Sequence, residues 1–276
     1  MKIKKFIQKL ISPIAPNFGL YIEKGINRNQ LLQFLQKIHP IHSGKDLIRI
    51  GPDADGGYLV PNDLEGIAAC FSPGVDIESR FELQLAERGM QVFMADYSVD
   101  GPAAPHANFH FEKKYLAAYD AGHLMTMDTW INAQTSLDPA ADLILQMDIE
   151  GAEYEVLQST STQAIKRFRI IVMEFHGWHH LYKREVFQKV EAAITKLLQT
   201  HAVVHIHPNN DGAGRSYQGI ELHRWPEISF IRRDRISNSY PVTTLPHPLD
   251  HDNVPKKSIP LSPDWYSRSE ESRLKY

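Results

Sequence analysis

One cysteine in 276 residues, Cys70, rules out a disulfide framework and a four-cysteine zinc site, and points to a reducing compartment. It lies in the apolar run Ile67-Ala68-Ala69-Cys70-Phe71, where a buried core thiol is expected rather than a reactive one. No stretch reaches the roughly 18 apolar residues of a membrane-spanning helix. Charge of neither sign dominates: 30 Lys and Arg against 33 Asp and Glu leave a net charge of −3. A chain that tracks nucleic-acid phosphates carries a basic signature instead, so no nucleic-acid partner is expected. Gly-x-Gly-x-x-Gly and the P-loop pattern are both missing, as is any repeat at solenoid periods. With 42% hydrophobic residues, the chain has enough apolar surface for one large core.

Three regions differ in texture. Residues 1–45 hold two helix candidates, the first within MKIKKFIQKLISPIAPNF, where Ile3, Phe6, Ile7, Leu10 and Ile11 oppose Lys2, Lys4, Lys5, Gln8 and Lys9. Gln8 and Lys9 interrupt the apolar run that a secretory signal needs. The expectation is a cytoplasmic protein whose residues 1–18 lie peripherally on an anionic membrane face or dock on a protein surface. Residues 46–236 alternate strands and helices. Residues 237–276 are rich in Pro, Ser and charge, and read as an irregular tail wrapping the domain, with Trp265 and Tyr266 as anchors.

Within the middle region, residues 46–50 and 56–60 suggest a strand pair. Strands are predicted at 66–71, 91–95, 108–111, 142–147, 168–175, 202–207 and 227–233, with helices at 77–89, 153–159 and 183–201 and a further helical stretch at 113–122. Residues 124–127 read as a short extended piece. Near-continuous apolar strands between helices imply a doubly wound α/β domain whose parallel sheet is covered on both faces.

Ligands of such sheets bind beyond the carboxyl ends of the strands. The strand at 66–71 runs into Ser72-Pro73-Gly74, where glycine permits close backbone approach to a cofactor. The next ends at Asp96, placed to accept hydrogen bonds from a ribose diol or to cap a loop. The strand LILQM opens onto Asp148, Glu150, Glu153 and Glu155, and FRIIVMEF onto Glu174 and His176. Glu153 suits the first turn of the following helix.

Taken in order, these strand ends resemble the core of the FkbM-type methyltransferase family, S-adenosylmethionine-dependent enzymes of the Rossmann-like class. The resemblance rests on Thr126-Met127-Asp128, on Asp148-Ile149-Glu150-Gly151-Ala152-Glu153, and on Glu174, and it covers roughly residues 46–235. The upstream stretch IGPDADGGYLVP is similar to one that precedes the core in a branch of the family, which adds Asp55 and Gly57 as cofactor contacts. The family's first loop reads aspartate-x-glycine-alanine-asparagine-x-glycine. Here it is CFSPGVDIE: only Gly74 keeps its place, with Ser72 or Glu78 to supply polar contacts. The resemblance implies a seven-stranded, mostly parallel sheet with the last strand antiparallel, and a cofactor site of Ser72, Gly74, Asp96, Asp128, Asp55 and Gly57.

Methyl transfer from a sulfonium needs an acceptor held in line, and a hydroxyl acceptor needs its proton removed or its charge stabilised. His176 suits the role of base, since the ordinary imidazole pKa lies near 6.5. Asp148, Glu174 and His176 also form a two-carboxylate, one-imidazole set suited to Mg or Mn; the alternative is that the carboxylates cap helices and hydrogen-bond a sugar. Glu150, Trp178, His207 and Asn209 are candidate contacts to a glycan or other small acceptor, Trp178 by stacking on a sugar face. Two other functions compete. Asp53-Ala54-Asp55 resembles the metal motif of nucleotide-sugar glycosyltransferases, and a noncatalytic binding module is compatible with the same fold.

Overall fold

The structure, a computed structural model, describes residues 25–75 and 77–267. The basic amphipathic segment at 1–18 lies outside the described residues. The chain opens with α1 (Arg28–Lys37), capped by Asn27 in a capping box with Gln30. Then come β1 (Ile41–His42), the hairpin β2 (Leu47–Ile50) and β3 (Tyr58–Pro61), β4 (Ile67–Pro73), α2 (Arg80–Glu87), β5 (Gln91–Ala95), β6 (Phe109–Glu112), β7 (Tyr115–Leu116), β8 (Leu124–Met125) and α3 (Met127–Ala133). The second half supplies β9 (Asp142–Met147), α4 (Glu153–Ser159), α5 (Thr162–Arg167), β10 (Phe168–Glu174), α6 (Arg184–Leu198), β11 (His201–Pro208), β12 (Arg215–Tyr217), β13 (Ile220–Leu222), β14 (Pro226–Arg232) and β15 (Tyr240–Pro241).

Seven strands form the main sheet in the order β11-β14-β10-β9-β4-β5-β6. Parallel pairing joins β10, β9, β4, β5 and β6, whereas β14 runs antiparallel to both β10 and β11. This is the architecture expected from the sequence, last strand antiparallel included. The strands are apolar on both sides because both faces are covered. Leu143, Leu145 and Met147 enter the larger core cluster with α1, α3, α4, α5 and α6, while Ile144 enters a second cluster with Phe81, Leu85 and Ala86 of α2. Tyr58 and Val60 of the hairpin join that second cluster, so the hairpin shares with α2 the task of covering one face.

Two local expectations are corrected. Residues 113–122 contain no helix: β7 and β8 pair in parallel, and Gly122, at φ 54°, turns the chain between them. The Asp120 carboxylate accepts the Thr126 N–H and the Thr129 hydroxyl, which anchors the turn and outcompetes helix propagation. Residues 124–127 are extended only through Met125, because Thr126 caps α3 by accepting from Thr129 N. The tail is largely irregular, and Trp265, fully buried, stacks on Trp178 and donates its indole N–H to Glu221 O. Trp265 shares one core with Leu31, Phe34 and Leu35 of α1.

Candidate active site

Two cavities meet at the carboxyl end of β9. The larger, about 730 Å³, opens between the ends of β4, β5 and β9 and the β7–β8 pair, and its wall includes Gly74, Glu78, Asp96 and Leu116. The smaller, about 160 Å³, holds Glu174, His176, Asn209, Asp211, Trp225 and Val254. Asp55, Asp148 and Glu150 line both.

The close approach of β4 to β9 is possible because residue 74 is glycine. It sits at φ 84°, and a Cβ there would lie 1.6 Å from the Asp148 carbonyl oxygen. After Asp148 the chain turns through Glu150 at φ 55° and Gly151 at φ 107°, a left-handed pair that reverses direction ahead of α4. This turn sets Glu150 and Glu153 on opposite nitrogens of one imidazole. His176 Nδ1 lies 3.0 Å from Glu153 Oε1 and Nε2 lies 3.2 Å from Glu150 Oε2, with Glu174 Oε1 at 3.5 Å and Asp148 Oδ1 at 3.9 Å. Glu153 is wholly buried, and the same oxygen accepts the Gly151 N–H. A helix-terminal charge in the sequence is therefore the group that fixes the ring of His176.

Electrostatics follow from crowding. Burial lifts Asp148 to about 7; His176 pulls against it, and Glu150 and Glu153 add smaller pushes upward. Burial, then Asp148 and Glu227, lift Glu174 well above the carboxylate range, although Asn209 donates to it at 2.9 Å. Burial draws His176 down, but the surrounding carboxylates outweigh it and hold the imidazole above its ordinary value. Glu227, on β14 opposite His207, is lifted by burial to about 7. Asn253 of the tail donates to both Glu227 and Asp55.

The sequence-predicted residues divide accordingly. Gly74, Asp96 and Asp55 line the larger cleft, and Asp148, Glu150, Glu174, His176 and Asn209 converge on the smaller cavity. Ser72 lies beneath the cleft floor, fully buried and bonded to Glu82 and Gln146. Four residues stand elsewhere. Asp128 accepts from Ser161 N at the start of α5 and is absent from the cleft wall, because its place in the first turn of α3 aims it at a neighbouring helix. Gly57 packs against Pro52 O and the Arg49 guanidinium, leaving Gly56 to face the cleft. His207 points behind the site to Asp250 of the tail, 3.5 Å away. Trp178 is fully buried against Phe34, Phe175 and Trp265, so no sugar face reaches it. The Asp53-x-Asp55 pair is split: Asp53 faces Arg49 and His251, while Asp55 faces the site. Tyr58, Glu82, Gln146, Glu227 and Asn253 join the site region without a sequence motif to mark them as a set, and Glu153, expected only at a helix start, joins them.

A seven-stranded sheet with this strand order, and a cleft at the carboxyl ends of its parallel strands, define a Rossmann-like α/β fold with its ligand site at the strand ends. Residues 100–211 match the model of the methyltransferase FkbM domain. That match spans less than half of the chain and is to a methyltransferase family, the same one that the strand-end motifs resemble. No curated protein matches it. Among solved structures, it is similar to magnesium protoporphyrin IX methyltransferase from Synechocystis PCC 6803 with bound SAH, at 16% identity over 62% of this chain and 75% of that one, with a TM-score of 0.34. A putative RNA methyltransferase from Pyrococcus horikoshii is 13% identical over 75% of this chain and 98% of that one, with a TM-score of 0.33.

Proposed function

We propose that the chain is an S-adenosylmethionine-dependent methyltransferase acting on a hydroxyl of a carbohydrate, with the donor in the larger cleft and the acceptor in the smaller cavity. The observation that carries this reading is the shared wall: Asp55, Asp148 and Glu150 belong to both spaces, so a methyl group held in one faces an oxygen held in the other. In the donor cleft Asp96 accepts from the ribose diol, and Gly74 lets the backbone approach the cofactor. The acidic wall favours the sulfonium cation. On the acceptor side, Glu153 holds His176 Nδ1 so that Nε2 faces the cavity and takes the hydroxyl proton. Glu174, Glu150 and Asn209 supply hydrogen-bonding partners for the remaining hydroxyls of a polar acceptor, which favours a sugar over an apolar substrate.

Asp148, Glu174 and His176 also fit a divalent ion such as Mg or Mn: their ligand atoms lie within 4.8 Å of one another, and Asp148 Oδ1 is buried without a hydrogen-bond donor. Such an ion would lower the pKa of an acceptor hydroxyl. A lipid-linked glycan at the cytoplasmic membrane face suits the basic amphipathic residues 1–18. Removing them should abolish binding to anionic vesicles, and unchanged binding would refute that part.

The enzyme is tested by transfer of labelled methyl from S-adenosylmethionine to free and lipid-linked oligosaccharides, with and without chelator. Methylation of sugar hydroxyls is expected. Calorimetric binding of a nucleotide sugar but not of S-adenosylmethionine would overturn the reading in favour of a glycosyltransferase.

A further inference from the structure

Resting on the larger cleft as the donor site, we propose that Glu82, Ser72, Gln146 and Tyr58 form a one-way hydrogen-bond chain. It makes the Tyr58 hydroxyl the donor to the carboxylate at the methionine end of S-adenosylmethionine.

The argument is a count of protons. Ser72 Oγ lies 2.5 Å from Glu82 Oε1 and 2.7 Å from Gln146 Oε1, and its hydroxyl has one proton to give. With Glu82 ionised, both partner atoms are acceptors, and one contact lacks a proton. With Glu82 neutral the count closes. Glu82 donates to Ser72, Ser72 donates to Gln146 Oε1, and Gln146 Nε2 donates to the Tyr58 oxygen at 3.3 Å. The Tyr58 proton is then left over. Among the described residues no acceptor takes it, and Tyr58, 4% exposed, lines the larger cleft together with Glu82 and Gln146.

Turning the Gln146 amide over would reverse the chain with Glu82 in either state, but the distances oppose it: 2.7 Å to Ser72 suits an O–H···O bond, and 3.3 Å to Tyr58 lies further outside the O–H···O range than the N–H···O range. With the amide as placed, Ser72 must donate to it and Glu82 must donate to Ser72; Glu82 is 4% exposed, and among the described residues no basic group lies within ion-pair distance of it. The titratable groups facing it are Glu78, ahead of α2, and Cys70, on β4. Glu78 is already engaged by Arg80 at 2.7 Å, and burial pushes the Cys70 thiol up and keeps it neutral. Neither stabilises a negative charge at Glu82, which burial lifts to about 7.

The cleft chemistry selects the ligand group. Among the described residues its wall carries Asp55, Glu78, Glu82, Asp96, Asp148 and Glu150, with neither lysine nor arginine. That suits the sulfonium and the ammonium of the donor but leaves its carboxylate without a cation. Ser98 commits its hydroxyl to Asp96, and Tyr115 stands 42% exposed at the rim, so Tyr58 is the buried hydroxyl whose proton is uncommitted. Tyr58 does not line the smaller cavity, which assigns its proton to the donor side.

Calorimetry with S-adenosylhomocysteine and with 5′-methylthioadenosine, which lacks the amino-acid end, tests this. Tyr58→Phe should weaken S-adenosylhomocysteine by about ten-fold and leave methylthioadenosine unchanged. Glu82→Gln keeps a donor to Ser72 at every pH. Its affinity for S-adenosylhomocysteine should equal the wild type at pH 6 and exceed it several-fold at pH 8.5, a comparison in which Asp148 cancels. Equal binding by Tyr58→Phe, parallel loss of both ligands, or a constant ratio between Glu82→Gln and wild type would overturn the inference. Failure of the wild type to bind S-adenosylhomocysteine at all would overturn the donor site itself.

Discussion

His176 gathers more of the site than any other side chain, with four carboxylates between 3.0 and 3.9 Å of its two nitrogens. Its partner Glu153 shows what sequence withholds. The carboxylate is evident at the start of a helix, but its contact with a ring 23 positions later depends on β9 and β10 lying side by side. Replacing His176 with Asn should slow methyl transfer by about 100-fold or more while S-adenosylhomocysteine affinity stays within a factor of two; equal loss of both would place His176 in the donor site. Trp178 illustrates the opposite error. Its neighbours His176, His179 and His180 suggest a polar surface, yet the indole fills the core between α1 and the tail. Trp178→Ala should therefore cost about 3–5 kcal/mol in urea unfolding, with affinity for S-adenosylhomocysteine in the folded fraction unchanged.

At the scale of elements, the inner strands β4, β5, β9 and β10 were legible because each is a nearly unbroken apolar run, a consequence of burial on both faces. Residues 113–122 were not, since alanine and tyrosine spaced for a helix give no hint that Asp120 will bind Thr126 and Thr129. The strand-end rule singles out Gly74, Asp96, Asp148, Glu174 and His176, all of which line the two cavities, but it says nothing of groups under the cleft floor, where Glu82 on α2 meets Ser72 on β4. That contact has a measurable consequence for stability. Glu82 has a folded-state pKa of about 7 against 4.5 unfolded, so the folded state holds the extra proton between those values. Stability from this group is complete below pH 4.5 and falls as pH rises through about 7, by about 3 kcal/mol in total. Glu82→Gln should remove this slope, making the variant more stable than wild type at pH 8.5 in denaturant titrations; parallel pH curves for the two would show that Glu82 is ionised in the fold.

Across the whole molecule, the tail is what closes the site from outside the sheet. Asp55 N donates to Asn253 O, Asn253 reaches Glu227, and Asn210 binds the backbone of Val254 and Lys256, so the strap brings Val254 into the wall of the acceptor side. Asp250 pins this strap to β11, 2.8 Å from His205 Nε2 and 3.5 Å from His207 Nδ1. Burial opposes its charge, but the two histidines prevail and hold its carboxyl well below the usual range. His207 moves the other way: burial draws it down, and Asp250 and Glu227 raise it above its ordinary value. The signs define a window. The Asp250 contribution is present above its unfolded pKa of about 3.9 and is lost as pH falls through the folded value. The His207 contribution is complete below about 6.5 and is lost as pH rises through its raised value. The strap is therefore held most firmly between about pH 4 and 6.5. Asp250→Asn should destabilise the protein by about 2 kcal/mol inside that window and by less at pH 8.5. Limited proteolysis after residue 240 should accelerate in the same pattern, and cleavage rates that match wild type at pH 5.5 would show that Asp250 does not hold the strap.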